Sequence, residues 1–194
     1  MHHTETEKAV RTLIEAHDPD PDREGLRETP KRVAQALQFW TQGYSQNPRD
    51  VLKEFEDGAQ NYDELVFEGN LPLFSLCEHH LTPFFGVAHI GYIPNKKIVG
   101  LSKLGRLLDI FAQRFQVQER LTSQVANALN EHLNPKAVGV VIRARHLCME
   151  SRGIRKVGTI TFTSTVTGLF KQDAAAREEF LSFVRLADTR ASTL

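Results

Sequence analysis

Cys77, Glu78, His79 and His80 stand in a row, and the only other cysteine, Cys148, follows two residues after His146. Thiolate and imidazole are ligands that zinc prefers, and the C-x2-H spacing of Cys77 and His80 lets two side chains converge on one ion. A third ligand from Cys148 would leave a fourth position open for water, the arrangement of a catalytic rather than a structural zinc. Three other readings compete. A disulfide would need an oxidising compartment, whereas Met1-His2-His3 runs straight into the charged stretch Thr4–Lys8 with no apolar signal segment; a reducing cytoplasm is the expectation. A Cys/His nucleophilic pair would use Cys77 and leave Cys148 idle. Two buried structural cysteines near unrelated histidines are the plainest alternative, and three histidines clustered with them argue against it.

The charge pattern indicates what such a site would attract. The formal net charge is zero, but residues 1–70 hold 8 basic and 15 acidic side chains, whereas residues 71–160 hold 12 basic and 5 acidic. The candidate ligands lie in the positive stretch, and a cationic surround concentrates anions. Lys103 and Arg106 fall three apart in the first turn of an expected helix. Cations there oppose the helix dipole, so their placement makes sense if they and the free backbone N–H groups meet an anion together. Arg152, Arg155 and Lys156 follow Cys148. Several such charges around one metal suggest a polyphosphate. Lys96 and Lys97 read as an ordinary solvated turn. Nucleic acid is not expected, for want of a basic tail, a dense Lys/Arg patch or an aromatic stacking motif. No apolar run approaches membrane-spanning length.

The elements that must position these residues can be read from periodicity. Thr4 and Glu7 suggest a capping box ahead of Val10, Leu13 and Ile14, and Asp18-Pro19-Asp20-Pro21-Asp22 breaks that helix. Thr29-Pro30 opens a second, with Val33, Leu37 and Trp40 on its buried face, and a short helical stretch is expected around Val51–Phe55. From Leu65 the texture becomes strand-like: Leu71–Leu76 runs into the Cys77 cluster, and Phe84–Ile93 returns. Ser102 is placed to N-cap a helix bearing Leu104, Leu107, Leu108 and Phe111. Gln118–Leu133 forms another, in which Glu119 sits where a carboxylate suits the helix dipole. Ala137–Cys148 reads as a strand whose period of two puts His146 and Cys148 on one face, about 7 Å apart. Gly158–Thr167 is a Thr-rich strand, and Asp173 caps a last helix. The order predicts an α+β fold with an antiparallel sheet, organised as an N-terminal helical segment (1–60) and a strand-rich domain (61–194).

Taken together, Cys77-Glu78-His79-His80, Gly100-Leu101-Ser102-Lys103-Leu104, Gln116-Val117-Gln118-Glu119-Arg120-Leu121, His146-Leu147-Cys148-Met149, Arg152-Gly153-Ile154-Arg155 and Gly168-Leu169-Phe170 resemble GTP cyclohydrolase I, as Thr29-Pro30-Lys31-Arg32 resembles an early helix of that family. The resemblance runs from about residue 26 to 185 with the motifs in the family's order. Phe115, where many relatives have proline, and Glu150-Ser151, at variable positions, are the departures.

That resemblance implies a tunnelling fold: a four-stranded antiparallel sheet with two helices between its strands, preceded by N-terminal helices. It implies Cys77, His80 and Cys148 as ligands of Zn2+, and a hydrolase that opens the imidazole ring of GTP, releases formate and forms 7,8-dihydroneopterin triphosphate for tetrahydrofolate biosynthesis. His146 would be the general acid at the purine N7 and His79 a second proton-transfer group. Ser102 and Gln118 would lie near the ribose, and Glu119 would accept from the guanine N1 and N2 donors. Lys103, Arg106 and Arg152 would hold the triphosphate, with Arg32 reaching in from another subunit. The family assembles as a homodecamer of two stacked pentamers. A related activity on another pterin or deazapurine, or a non-catalytic binding module, would be separated from this reading by incubation with GTP.

Overall fold

A computed structural model of the chain describes residues 3–55 and 62–191. Backbone proximity divides the chain into two compact units, Met1–Gln42 and Gly43–Leu194. In the first, α1 (His3–His17) packs on α2 (Thr29–Trp40). Arg11 stitches the intervening Asp/Pro loop: its guanidinium donates to the Pro21 carbonyl at 3.0 Å and to Asp22 at 2.6 Å. Pro30 sits within the first turn of α2, where its missing N–H costs nothing. Ala34 is buried, but Trp40 remains 40% exposed rather than marking a buried face.

The second unit holds Cys77, His80 and Cys148, the candidate metal donors. After a 3-10 turn (Gln42–Ser45) come the one-turn helix α3 (Pro48–Val51) and a two-residue strand, β1 (Glu54–Phe55). The helix expected around Val51–Phe55 therefore ends at Val51, where the chain extends to pair β1 with β4 (Ile98–Val99). The main sheet contains β2 (Val66–Cys77), β3 (Pro83–Ile93), β5 (Phe115–Gln116), β6 (Ala137–His146) and β7 (Thr161–Gly168), in the order β5-β2-β3-β6-β7. Its four long strands are antiparallel, and the short β5 runs parallel to β2; the fold is α+β with a mixed sheet.

Helices α4 (Ser102–Ala112) and α5 (Gln118–Leu133) pack on this sheet. Leu104, Leu107, Leu108, Leu121, Val125 and Leu129 meet Phe84, Ile90, Tyr92, Val138, Val140 and Ile142 in the larger core. Asn134, in the left-handed conformation, ends α5. α4 starts one residue earlier in its cap than expected. Leu101 is the cap residue, no side chain caps the helix, and Ser102 is already helical; the Lys103 and Leu104 amides are taken by the Gly100 and Leu101 carbonyls.

The one-turn helices α6 (Leu147–Glu150) and α7 (Leu169–Gln172) precede α8 (Ala174–Ala191). Asp173 accepts from the Ala175 and Ala176 amides, the expected cap of α8. A second core gathers Phe170, Phe180 and Val184 with Ile93, Ala137 and Val141. Phe180 fits because Gly91 and Gly139, register partners on β3 and β6, lack side chains: a Cβ would lie 2.9 Å or 2.7 Å from its ring.

His89, fully buried on β3, comes within 3.2 Å of Asp188 on α8, and Asp188 lies 2.9 Å from Arg143 on β6. Burial pushes the imidazole below its ordinary value, Asp188 pulls it up, and Arg143 pushes it down further. The unfolded chain therefore takes up this proton first. The stability tied to neutral His89 is complete above the unfolded value near 6.5 and is lost as pH falls below it. Urea unfolding at pH 7.5 and 5.5 checks this: stability is expected to drop at the lower pH, and His89→Gln to shrink that drop.

Candidate active site

The turn between β2 and β3 is shaped by its own backbone. The Cys77 amide donates to the Thr82 carbonyl at 2.9 Å, and the His80 and Leu81 amides donate back to the Cys77 carbonyl at 3.2 and 2.8 Å. Leu81 takes a left-handed φ of 53°, uncommon for a branched residue and a form of strain that gathers at functional sites. The turn is also tied to the start of α5. Glu78 donates its amide to the Gln116 carbonyl at 3.0 Å, and its carboxylate pairs with Arg120, which holds Glu78 below the usual carboxylate range. Arg120 in turn donates to the Gln116 side chain at 2.9 Å. Its spacing from Glu78 follows no helix or strand rule, so no local signal marked this brace in the sequence.

This turn delivers two of the donors and the end of β6 delivers the third. The ligand atoms of Cys77, His80 and Cys148 lie within 4.8 Å of one another, with 3.7 Å between the Cys77 Sγ and the His80 Nδ1. The route by which Cys148 arrives differs from the expected one. β6 stops at His146, and Cys148 lies on α6; the two residues do not share a strand face. The Ser151 amide donating to the Leu147 carbonyl at 2.9 Å closes that turn.

Two thiols and an imidazole converging this closely form a soft donor set that suits zinc. Burial pushes the Cys148 thiol up, and neighbouring Cys77 pushes it further, since two thiolates this close repel unless a cation lies between them. The Thr82 hydroxyl, buried without a well-aligned hydrogen-bond partner, lies beside the same thiol. The residues present thus fit a divalent metal.

Beside this cluster, His146 is stacked on Phe84 with ring centroids 4.7 Å apart and planes 6° from parallel, a contact set by the pairing of Phe84 with His146. Its Nε2 lies 2.7 Å from the Gln118 side-chain oxygen. Gln118 is 1% exposed, and its amide nitrogen contacts the Ile142 carbonyl, the Thr161 carbonyl and the Thr163 hydroxyl at 3.0–3.1 Å. Those acceptors demand the NH2 group, so the oxygen must face His146 and the imidazole must carry its proton on Nε2. Burial holds His146 below its ordinary value, opposed by the nearby Glu119 carboxylate.

The other expected site residues occupy defined positions. Glu119 is exposed in the first turn of α5. Ser102, Lys103 and Arg106 lie in the first two turns of α4, with Lys103 half-buried and the other two exposed. Arg152 places its Nη1 3.2 Å from the His80 Nε2. His79 is exposed, 3.9 Å from Glu78. Arg32 is exposed on α2 of the first unit. A separate hollow of about 200 Å³ is lined by Phe85, Gly86, Val87, Arg143, Ala144, Arg145 and Ile160; it contains none of these residues and is apolar, so the cluster of donors, not the hollow, marks the site.

Comparison with known proteins bears on this arrangement. A GTP cyclohydrolase 1 from Janthinobacterium sp. (strain Marseille) is 56% identical over 178 residues, covering 92% of this chain and 90% of that one. One from Nitrosospira multiformis is 58% identical over 170 residues, covering 88% and 89%. One from Dictyostelium discoideum is 50% identical over 179 residues, covering 92% and 77%. A solved structure of the archaeosine synthase QueF-Like in the apo form matches 54% of this chain and 93% of its own at 17% identity and a TM-score of 0.43, too slight a likeness to weigh. The family model for GTP cyclohydrolase I matches residues 6–185, a span that contains the three candidate donor residues together with His146 and Gln118; the chain belongs to the GTP cyclohydrolase I family.

Proposed function

We propose that the chain is a zinc-dependent hydrolase that opens the imidazole ring of GTP, releases formate and forms 7,8-dihydroneopterin triphosphate, the first step of tetrahydrofolate biosynthesis. The observation that carries this is the Cys77–His80–Cys148 donor set, within 4.8 Å, in a member of this family. When bound there, zinc would supply an acidified water at near-neutral pH.

The chain's own residues supply the rest. His146, stacked on Phe84 and with its Nε2–H committed to Gln118, acts as acid through a second proton, taken up on Nδ1 and passed to the purine N7 as attack proceeds at C8. His79, exposed at the turn, exchanges protons during the ribose rearrangement. Ser102 lies near the ribose, and so does Gln118 by resemblance; its amide is already engaged by the sheet, so its contribution runs through His146. Lys103, Arg106 and Arg152 hold the triphosphate with charge-assisted hydrogen bonds, joined by Arg32 of a neighbouring subunit. The reading extends to a tunnelling-fold catalytic domain over 61–194 after a helical segment of 1–60, and to a cytoplasmic homodecamer of two pentamers. No helix among the described residues is long and apolar enough to cross a membrane.

Incubation with GTP tests this, with formate and a fluorescent pterin as products. Guanosine should be a far poorer substrate than GTP, and added salt should weaken GTP use. Absence of both products with zinc-loaded protein would overturn the assignment. Base selection gives a second check. Glu119 accepts from the guanine N1 and N2 donors, a pair that adenine lacks. Glu119→Gln exchanges an acceptor for a mixed group and forfeits about 1.5–3 kcal/mol, so GTP turnover should fall at least about tenfold. Unchanged GTP kinetics would remove Glu119 from the base pocket.

A further inference from the structure

Glu150 is 8% exposed, an unusual place for a carboxylate in a short turn at the surface. Its partner is Arg145, the penultimate residue of β6. The guanidinium donates from Nε to Oε1 at 2.9 Å and from Nη2 to Oε2 at 2.6 Å, the two-pronged geometry that adds direction to strength. Arg145 is itself steered from the neighbouring strand: its guanidinium carbon lies 5.6 Å above the Phe85 ring, and Phe85 stacks on Phe74 at 5.8 Å. The far end of the following loop is held as well. The Lys156 amide donates to the Met149 carbonyl at 3.0 Å, and the Gly158 amide donates toward the Glu150 carboxylate. Between Arg145 and Glu150 lie His146 and Cys148; Arg152 comes two residues later. Residues 151–160 are otherwise exposed, so little apolar packing fixes them.

We propose that Arg145 and Glu150 are positioning residues: their ion pair folds the end of β6 back on itself and so sets where Cys148 presents its sulfur and where Arg152 meets His80. The proposal deepens the zinc reading above and rests on it. The physical case is that a buried carboxylate is tolerated only with its partner in place. The five-residue reach from Arg145 to Glu150 is spanned here by the helical turn Leu147–Glu150 rather than by the straight strand expected from periodicity. Partners that hydrogen-bond a metal ligand directly change metal affinity by about 10–100-fold when lost; Arg145 and Glu150 act one step further out, through the backbone that carries Cys148.

The full chain tests this with cobalt in place of zinc, read by thiolate-to-metal charge-transfer absorption. Glu150→Ala and Arg145→Ala should each weaken cobalt binding at least about tenfold and alter the band. The double variant should be no worse than the poorer single one, because the two side chains act as one unit. Glu150→Gln, close to isosteric, should fall between, and it keeps the test open if the alanine variants do not fold. Unchanged affinity and spectrum in Glu150→Gln and Glu150→Ala, or effects that multiply in the double variant, would overturn the proposal. A second readout is independent of metal: amide hydrogen exchange across residues 147–152 of the metal-free chain should accelerate in Glu150→Ala while β2, β3 and α5 keep their protection. An unsubstituted chain that binds no cobalt would refute the zinc reading alone, and the exchange data would then decide the clamp. Unaltered exchange would sink it.

Discussion

Replacing His146 by alanine should leave one metal ion per subunit and a normally folded chain, yet cut pterin formation at least about 100-fold, the range a general acid contributes. The separation is possible because the imidazole is anchored by Gln118 at 2.7 Å and by the Phe84 ring, neither of which is a metal donor. Removing the ring takes away a proton source without touching Cys77, His80 or Cys148. Atomic emission gives the metal content and fluorescence gives the product. Loss of zinc in this variant would make His146 a ligand and would end its assignment as acid.

Cys148→Ser should behave in the opposite way, with metal and turnover disappearing together. Two donors remain, and a serine hydroxyl does not ionise near neutral pH, so affinity should fall by more than the roughly 100-fold that loss of an outer partner can cause. Burial already pushes this thiol up, and Cys77 adds to it, so in the absence of a cation the Cys148 thiol should react slowly with alkylating reagents at neutral pH. Full zinc and full activity in the serine variant would break the three-donor site.

How much of this was legible in the sequence depends on the range of each signal. Cys77 and His80 could be recognised because ligand preference is a property of residue type and their spacing is local. The long apolar faces of α4 and α5 were equally plain, since Leu104, Leu107, Leu108, Leu121, Val125 and Leu129 recur at helical intervals and all are buried. The backbone around Cys148 was misread because a period of two continues until something breaks it. What breaks it is a pairing of Arg145 with Glu150 that neither strand nor helix periodicity can express. The brace from Arg120 to Glu78 and the Phe84 seat under His146 were hidden for a related reason: each depends on strand pairing between distant segments. The start of α4 shows a smaller effect. Ser102 has the right chemistry for a cap, but the Leu101 carbonyl already takes the Leu104 amide, one of the two that it would have served.

The three acceptors around Gln118 carry a consequence for how the site matures. One is on β6 and two are on β7, in a stretch where Ile142 pairs with Thr163 and Ala144 with Thr161. Only with those strands zipped in that alignment does the carboxamide have a reason to turn its oxygen toward His146; a slip of one residue would send Thr163 to the opposite side of the sheet. The proton on the imidazole is in effect a checksum on the pairing of two strands. A chain whose outer strand has not yet closed can gather its two cysteines and His80 while the His146 ring remains uncommitted between tautomers. During refolding, competence should therefore appear with the closing of β7 rather than with the uptake of metal.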